Sequence, residues 1–225
     1  LRRRHWKRKR RVLEKKRWSR IVPPKIGTPG PTKGSERIMG MGVKLLVGVL
    51  FPTAEDSEAL APLSEGNGCF WDWALQQMTS AWGVPERISD AYPFDSTSYY
   101  HEISRTLLRR FVSFAGLFPP ENLADWKRRS GMMEASSGPS RRVNIDPGFL
   151  DGAKLVLAST KDRAQRVPIA ENLFAEVTLR FRNHRWEPFD YTFPDFRSGR
   201  YDTFFHEVRQ DWLRDTQALR RKRHD

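Results

Sequence analysis

Hydrophobic positions fall into blocks whose spacing changes along the chain. Residues 42–51, GVKLLVGVLF, are apolar on both alternating faces apart from Lys44, the pattern of a central strand covered on both sides. An acidic stretch follows (Glu55, Asp56, Glu58, Glu65) and ends in Gly66 to Gly68. Phe70, Trp73, Ala74, Met78 and Ala81 then recur at helical spacing, and Gly83 and Pro85 close that helix. RISDAYPFD (87–95) reads as extended, and LLRRFVSFAGLF (107–118) as a second strongly apolar strand. Pro119 and Pro120 open a helix over ENLADWKRRSGMMEAS, with Glu121 in the first turn, where the helix dipole favours a carboxylate. SGPS (137–140) breaks it.

The remainder is mostly strand. KLVLAST (154–160), RVPIA (166–170) and FAEVTLRFR (174–182) are separated by short polar turns, as in a meander. In VNIDPG (143–148), Pro147 and Gly148 suit the middle of a type II turn. Tyr201, Phe204, Phe205, Val208 and Trp212 mark a closing amphipathic helix. The order predicts an α+β fold: a mixed or largely antiparallel sheet with helices packed on it, closed by the C-terminal helix. Residues 39–219 form the expected single domain.

Composition supports a packed core. The 225 residues are 38% hydrophobic and 12% aromatic, with 8 Trp and 14 Phe, too rich for a disordered chain. The longest apolar run, Leu45 to Phe51, falls far short of the ~20 residues of a membrane-spanning helix. Cys69 is a lone cysteine, which excludes an internal disulfide framework and any multi-cysteine zinc site. A soluble, cytoplasmic protein is the expected class, with no membrane partner. Oligomeric state has no signature in this pattern.

The net charge of +13 changes the picture less than its size suggests. Residues 1–20 hold twelve Lys or Arg against Glu14, and residues 220–225 add four against Asp225. Residues 21–219 are left with 24 basic and 25 acidic groups, so the body is neutral. A basic arm carrying Trp6 and Trp18 suits RNA, through counterion release and base stacking. That gives one reading, an RNA-associated accessory protein docking through its N-terminal tail alone. The favoured reading takes residues 1–38 as an upstream extension or incidental disordered arm. The first methionines are Met39 and Met41, and the segment IVPPKIGTPGPTKGSER before them has linker composition.

Common catalytic signatures are missing: no GxxxxGK[ST], GxGxxG, GxSxG or HExxH occurs, and the five histidines have no metal-site spacing. No motif identifies a cofactor, and no metal site is assigned. Four stretches nevertheless carry dense chemistry. They are FDSTSYYHE (94–102), VNIDPG (143–148), KLVLASTKDRAQR (154–166) and FAEVTLRFR (174–182). Each has an ordinary structural explanation, such as a helix cap, a turn or a solvated strand face. Together they supply donors for a small anionic ligand, phosphorylated or nucleotide-like: Asn144, Lys154, Lys161, Arg166, Arg180 and Arg197. Asp95, Asp146, Asp162 and Glu176 are candidate acid–base groups or oxygen ligands for a divalent ion. Strict alternation puts Glu176, Thr178, Arg180 and Arg182 on one strand face, with Glu176 and Arg180 about 13 Å apart. At least three of Asn144, Lys161, Arg166, Glu176 and Arg180 are then expected to converge on one pocket.

VKLLVGVLF, LLRRFVSF, VNIDPGFL, KLVLASTKD, AEVTLRF and YTFPDFRSGRY, in this order, resemble an uncharacterised prokaryotic family, the domain-of-unknown-function family 4416. The resemblance runs from about Val43 to Trp212. It implies no established activity; a GTP-binding label attached to some members has no supporting motif here. Gln165 stands where the resemblance leads one to expect a histidine, and STSYY replaces a more acidic stretch. Both departures argue against histidine acid–base chemistry.

Overall fold

The computed structural model describes residues 42–59, 69–95, 100 and 102–222. The basic arm of residues 1–38, the Gly-Asn-Gly of residues 66–68, most of STSYY, His101 and residues 223–225 lie outside that set. The elements run Lys44–Pro52 (β1), Ala54–Ala59 (α1), Phe70–Trp82 (α2), Pro85–Ile88 (β2), Tyr92–Phe94 (β3) and Leu107–Phe114 (β4). They continue through Leu123–Ser136 (α3), Asn144–Leu150 (β5), Lys154–Ser159 (β6), Val167–Ala170 (β7), Leu173–Arg182 (β8), Arg185–Pro188 (β9), Pro194–Arg197 (α4) and Asp202–Arg221 (α5). The strands form one sheet in the order β2-β4-β1-β5-β6-β8-β7, with β3 added to β4 and β9 to β8. Every pairing between named strands is antiparallel. The fold is α+β.

β1 is buried along its whole length because helices cover both sheet faces. On one face Val43, Leu45, Val47 and Val49 pack with Phe70, Ala74 and Met78 of α2 and with Leu123 and Trp126 of α3. On the other, Leu46, Phe111, Leu150, Leu155 and Leu179 pack beneath Phe204, Phe205 and Val208 of α5. Lys44, the polar exception in β1, lies on this second face, fully buried, and its ammonium is bound by Glu86 of β2 and Asp215 of α5. Two carboxylates compensate the desolvation of one ammonium, so the pairing pins α5 across β1 and β2.

Three local departures from the sequence pattern shape the sheet. First, Asn144–Leu150 is a strand and not a type II turn. It pairs with β1 from Lys44↔Leu150 to Leu50↔Asn144. Pro147 is tolerated because the backbone groups of Ile145, Pro147 and Phe149 point away from β1. Ile145 bonds to α3 side chains on that edge, and Phe149 pairs with Val156 of β6. Proline has no N–H for a second ladder rung there, and the β5–β6 pairing stops at Gly148↔Leu157. The sheet splits open beyond that point.

Second, β6, β7 and β8 are not a simple meander. β8 lies between β6 and β7, and its outer edge is shared by β7 at one end and β9 at the other. Third, the register of β6 with β8 moves from Leu155↔Leu179 to Val156↔Val177, leaving Thr178 as an extra residue. This bulge reverses the alternation. Ala175 and Val177 belong to the α2–α3 side, whereas Leu179 and Phe181 belong to the α5 side. Glu176 and Arg180 therefore point to opposite faces, which corrects the expectation that they share one.

Gly148 marks the last rung before the split. A Cβ there would meet the Val156 carbonyl oxygen well inside van der Waals contact and the Leu157 Cδ2 at 2.6 Å. Gly148→Ala is expected to lower stability by about 1–3 kcal/mol, the range for overpacking a tight site, read as a shift in urea midpoint with the slope preserved. A wild-type midpoint in that variant would show that β6 is not clamped to β5.

A polar cluster at the split between β5 and β6

α5 covers one end of its sheet face, and the other end is polar. Arg109, Asn144, Asp146, Ser159 and Glu176 all belong to this face by strand alternation, taken with the neighbouring buried residues on each side. Arg109 is closed off: its guanidinium binds Asp195 of α4, which also accepts from the Tyr201 hydroxyl at 2.9 Å, and it lies over the rings of Phe94 and Phe196. The others surround the opening left where β6 departs from β5.

The opening would strand the backbone of Ile145, and α3 resolves this with two charges. Lys127 and Glu134 lie seven residues apart on one helix face, both buried. The Lys127 ammonium donates to the Ile145 carbonyl at 3.1 Å, and the Ile145 N–H donates to Glu134 Oε1 at 2.8 Å. Lys127 also reaches Asp146 Oδ1 at 2.8 Å. The network continues through Arg141, which donates to Glu134 and Asn144 at 3.2 Å and to Glu102 at 2.8 Å. Asn144 donates in turn to Asp146 Oδ2 at 2.6 Å.

Across the opening, Glu176 is buried and accepts from Arg166 Nε at 2.9 Å and Gln165 Nε2 at 3.0 Å. Arg166 Nη1 also donates to Ser159 Oγ at 2.7 Å and to the Lys161 carbonyl at 2.9 Å. The Lys161 N–H donates to Ser159 Oγ at 3.1 Å. These bonds fix the backbone of Lys161, two residues beyond the end of β6. Gln165, where a histidine was expected by resemblance, is a neutral brace for Glu176.

Electrostatics separates the members. Burial raises the Glu134 carboxyl above its usual range, and the Lys127 and Arg141 charges only partly oppose this. Burial would also raise Asp146, yet the Lys127 charge and bond, with help from Arg109 and Asn144, hold it below the usual range. Lys127 is raised, since Asp146 and Glu134 outweigh its desolvation. Lys161 goes the other way. Desolvation and the positive charges of Arg141, Arg166 and Arg163 bring its ammonium down to about 8, against the opposing pull of Asp146.

The structure thus brings Asn144, Asp146, Arg166 and Glu176 together, with Lys161 exposed at the rim and held there by its backbone. It places the other candidates elsewhere. Arg180 lies on the opposite face, bonded to Glu187 at 3.0 Å and over the Phe189 ring. Lys154 pairs with Asp151 in the β5–β6 turn. Arg197 in α4 is exposed and donates to the Asp190 carbonyl at 3.3 Å. Asp95 is exposed after β3, and Asp162 is exposed in the loop after β6. Among the described residues, no group of three or more His, Cys, Asp or Glu is arranged to hold a metal ion. No helix among them is long and apolar enough to cross a membrane. The residues that carry the RNA reading, including Trp6 and Trp18, lie outside the described set.

Residues 59–212 match the model of a family described as a domain of unknown function, DUF4416. The chain belongs to the DUF4416 family. The matched span begins within α1 and ends within α5, so it contains every strand except β1 and every member of the polar cluster. No curated protein and no solved structure matches the chain. The DUF4416 description itself assigns no activity.

Lys127, Glu134 and Arg141 were missed by sequence reasoning, although α3 carried a readable sign: charges at the same helical phase as Leu123 and Trp126. Removing one partner of a buried, hydrogen-bonded pair costs about 3–5 kcal/mol. Lys127→Met is expected to destabilise the protein in that range, and Glu134→Gln by less, because its amide oxygen can still accept from Ile145. Urea denaturation measures both, and a loss under about 1 kcal/mol for Lys127→Met would remove its bracing role.

Proposed function

We propose that the polar end of the α5-side face binds a small anion, a phosphorylated or nucleotide-like molecule, at the opening between β5 and β6. The observation that carries this reading is convergence. Five separate parts of the chain (α3, the turn before β5, β5 itself, the loop after β6 and β8) direct ionised side chains to one split in the sheet. A backbone gap needs one donor and one acceptor, which Lys127 and Glu134 already supply. Arg141 and Arg166 also serve Glu134, Glu102 and Glu176, and Lys161 adds a further ammonium beside them. Guanidinium groups suit phosphate and carboxylate through paired N–H donors, and an ammonium adds a point charge.

Differential scanning fluorimetry against inorganic phosphate, sugar phosphates, nucleotides and divalent ions tests the reading. A ligand at one hundred times its dissociation constant stabilises by about 2.7 kcal/mol, a rise of several degrees for a domain of this size. Flat melting curves across the series would overturn it.

The protonation of Lys161 gives the reading a pH signature. The ammonium is present below about 8 and is lost above it, so anion affinity falls as pH rises through that value. Where binding requires the ammonium, affinity drops about tenfold between pH 7 and pH 9. Titration calorimetry with the ligand found by fluorimetry should show this slope, and Lys161→Met should flatten it. A wild-type slope in that variant would place the titrating group elsewhere.

A further inference from the structure

We propose that Arg166 is the residue that receives the anion and that Glu176 is its resting counter-ion, so that the anion binds together with a proton taken up by Glu176. The inference rests on the anion-binding reading above and deepens it, by naming the group with which the ligand competes.

Arg109, Lys127, Arg141 and Arg166 are each bonded to a carboxylate, so an incoming anion meets a resident one at every such cation. Most of these pairs also hold the main chain. Lys127 donates to the Ile145 carbonyl, and Glu134, the partner of Arg141, accepts the Ile145 N–H. Asp195, the partner of Arg109, accepts the Phe196 N–H at 3.0 Å and the Tyr201 hydroxyl. Glu176 differs, since its carboxylate accepts from two side chains of one loop, Gln165 and Arg166. Exchange at this pair costs no backbone bond. The Arg166 side chain is also the more open of the two, 19% exposed against 10% for Glu176. Its Nη1 bonds to Ser159 Oγ and the Lys161 carbonyl hold the guanidinium in place while Nε changes partner.

An anion that takes the Nε side of Arg166 comes to lie beside a buried carboxylate. Two like charges sharing one guanidinium in a shielded position favour the neutral form of the weaker acid. A proton from solvent then settles on Glu176, and that O–H is the only covalent bond formed. Gln165 stays neutral, and its amide N–H serves the carboxyl oxygen in either state. The groups facing Glu176 are Gln165 and Arg166 from the loop before β7, Leu157 opposite it in β6, and Tyr191 from the segment before α4. The Tyr191 hydroxyl is raised by burial and by the Glu176 charge, so it stays a neutral neighbour. Lys161, at the rim, adds its charge on the Arg166 side.

The test uses the full chain with sulfate, which keeps its double charge through the neutral range and brings no proton of its own. Titration calorimetry at about pH 6, in two buffers of different ionisation enthalpy, counts the protons taken up. Lys161 is fully charged there, since its proton leaves only at about 8. Uptake approaching one proton per sulfate is expected, with affinity falling by up to about tenfold from pH 6 to pH 7. Glu176→Gln should bind sulfate about tenfold more tightly than wild type at pH 7, with no proton uptake. The paired Arg166→Gln, Glu176→Gln variant, which strands neither charge, should lose sulfate binding. Binding without uptake, uptake that persists in Glu176→Gln, or binding kept by the paired variant would each overturn the inference and leave the anion site standing. Absence of sulfate binding would overturn the inference, and absence across the whole fluorimetry series would overturn the anion site with it.

Discussion

A proline in the interior of a sheet sets the terms for one side of this molecule. Pro147 keeps its place in β5 because its nitrogen faces away from β1, but on that outward edge it has no N–H for β6. The ladder ends, the strands part, and buried backbone groups are left that must find partners. Lys127 and Glu134 of α3 supply them. Once two charges stand in for a strand, they need neutralising in turn, and Asp146, Arg141, Asn144 and Glu102 extend the network outward. The polar cluster is thus first a structural answer to a missing rung. Lys161 and the Arg166–Glu176 pair are the members this answer does not call for.

The bulge at Thr178 works with the split. Without the extra residue, Ala175, Val177, Leu179 and Phe181 would all share one face and Glu176 would lie on the other. With it, one strand contributes to the hydrophobic core on both sides and still delivers a buried carboxylate to the polar end. The Thr178 and Val177 carbonyls accept from the Thr192 and Tyr191 hydroxyls, which fill the edge of β8 between β7 and β9.

Much of the fold was legible where periodicity is long and uninterrupted. The doubly buried β1, the helix marked by Phe70, Ala74 and Met78, and the terminal helix marked by Phe204, Phe205 and Val208 all follow from spacing, and with them the α+β class. What failed was local and depended on neighbours. Asp-Pro-Gly has the chemistry of a turn, and only the direction of the Pro147 nitrogen, a property of the assembled sheet, makes it a strand. A single-residue bulge leaves no mark in an alternating sequence, so Arg180 was assigned to the wrong face. The site was legible in the polar ends of β5, β6 and β8 and illegible in α3, whose Lys127 and Glu134 pass for surface charges until the helix is docked.

The ties that hold α5 reach back almost the full length of the described chain. Asp215 meets Lys44 across 171 positions, and the Trp212 indole donates to the Gly42 carbonyl across 170. A nascent chain emerging from the ribosome therefore builds its sheet while one whole face, with Leu46, Phe111, Leu150, Leu155 and Leu179, still lacks its cover. Such closure comes late and slowly, since the longest loops must be drawn in last. Until α5 docks, that apolar face stays open to other chains, the kind of exposure that makes late-closing folds prone to association.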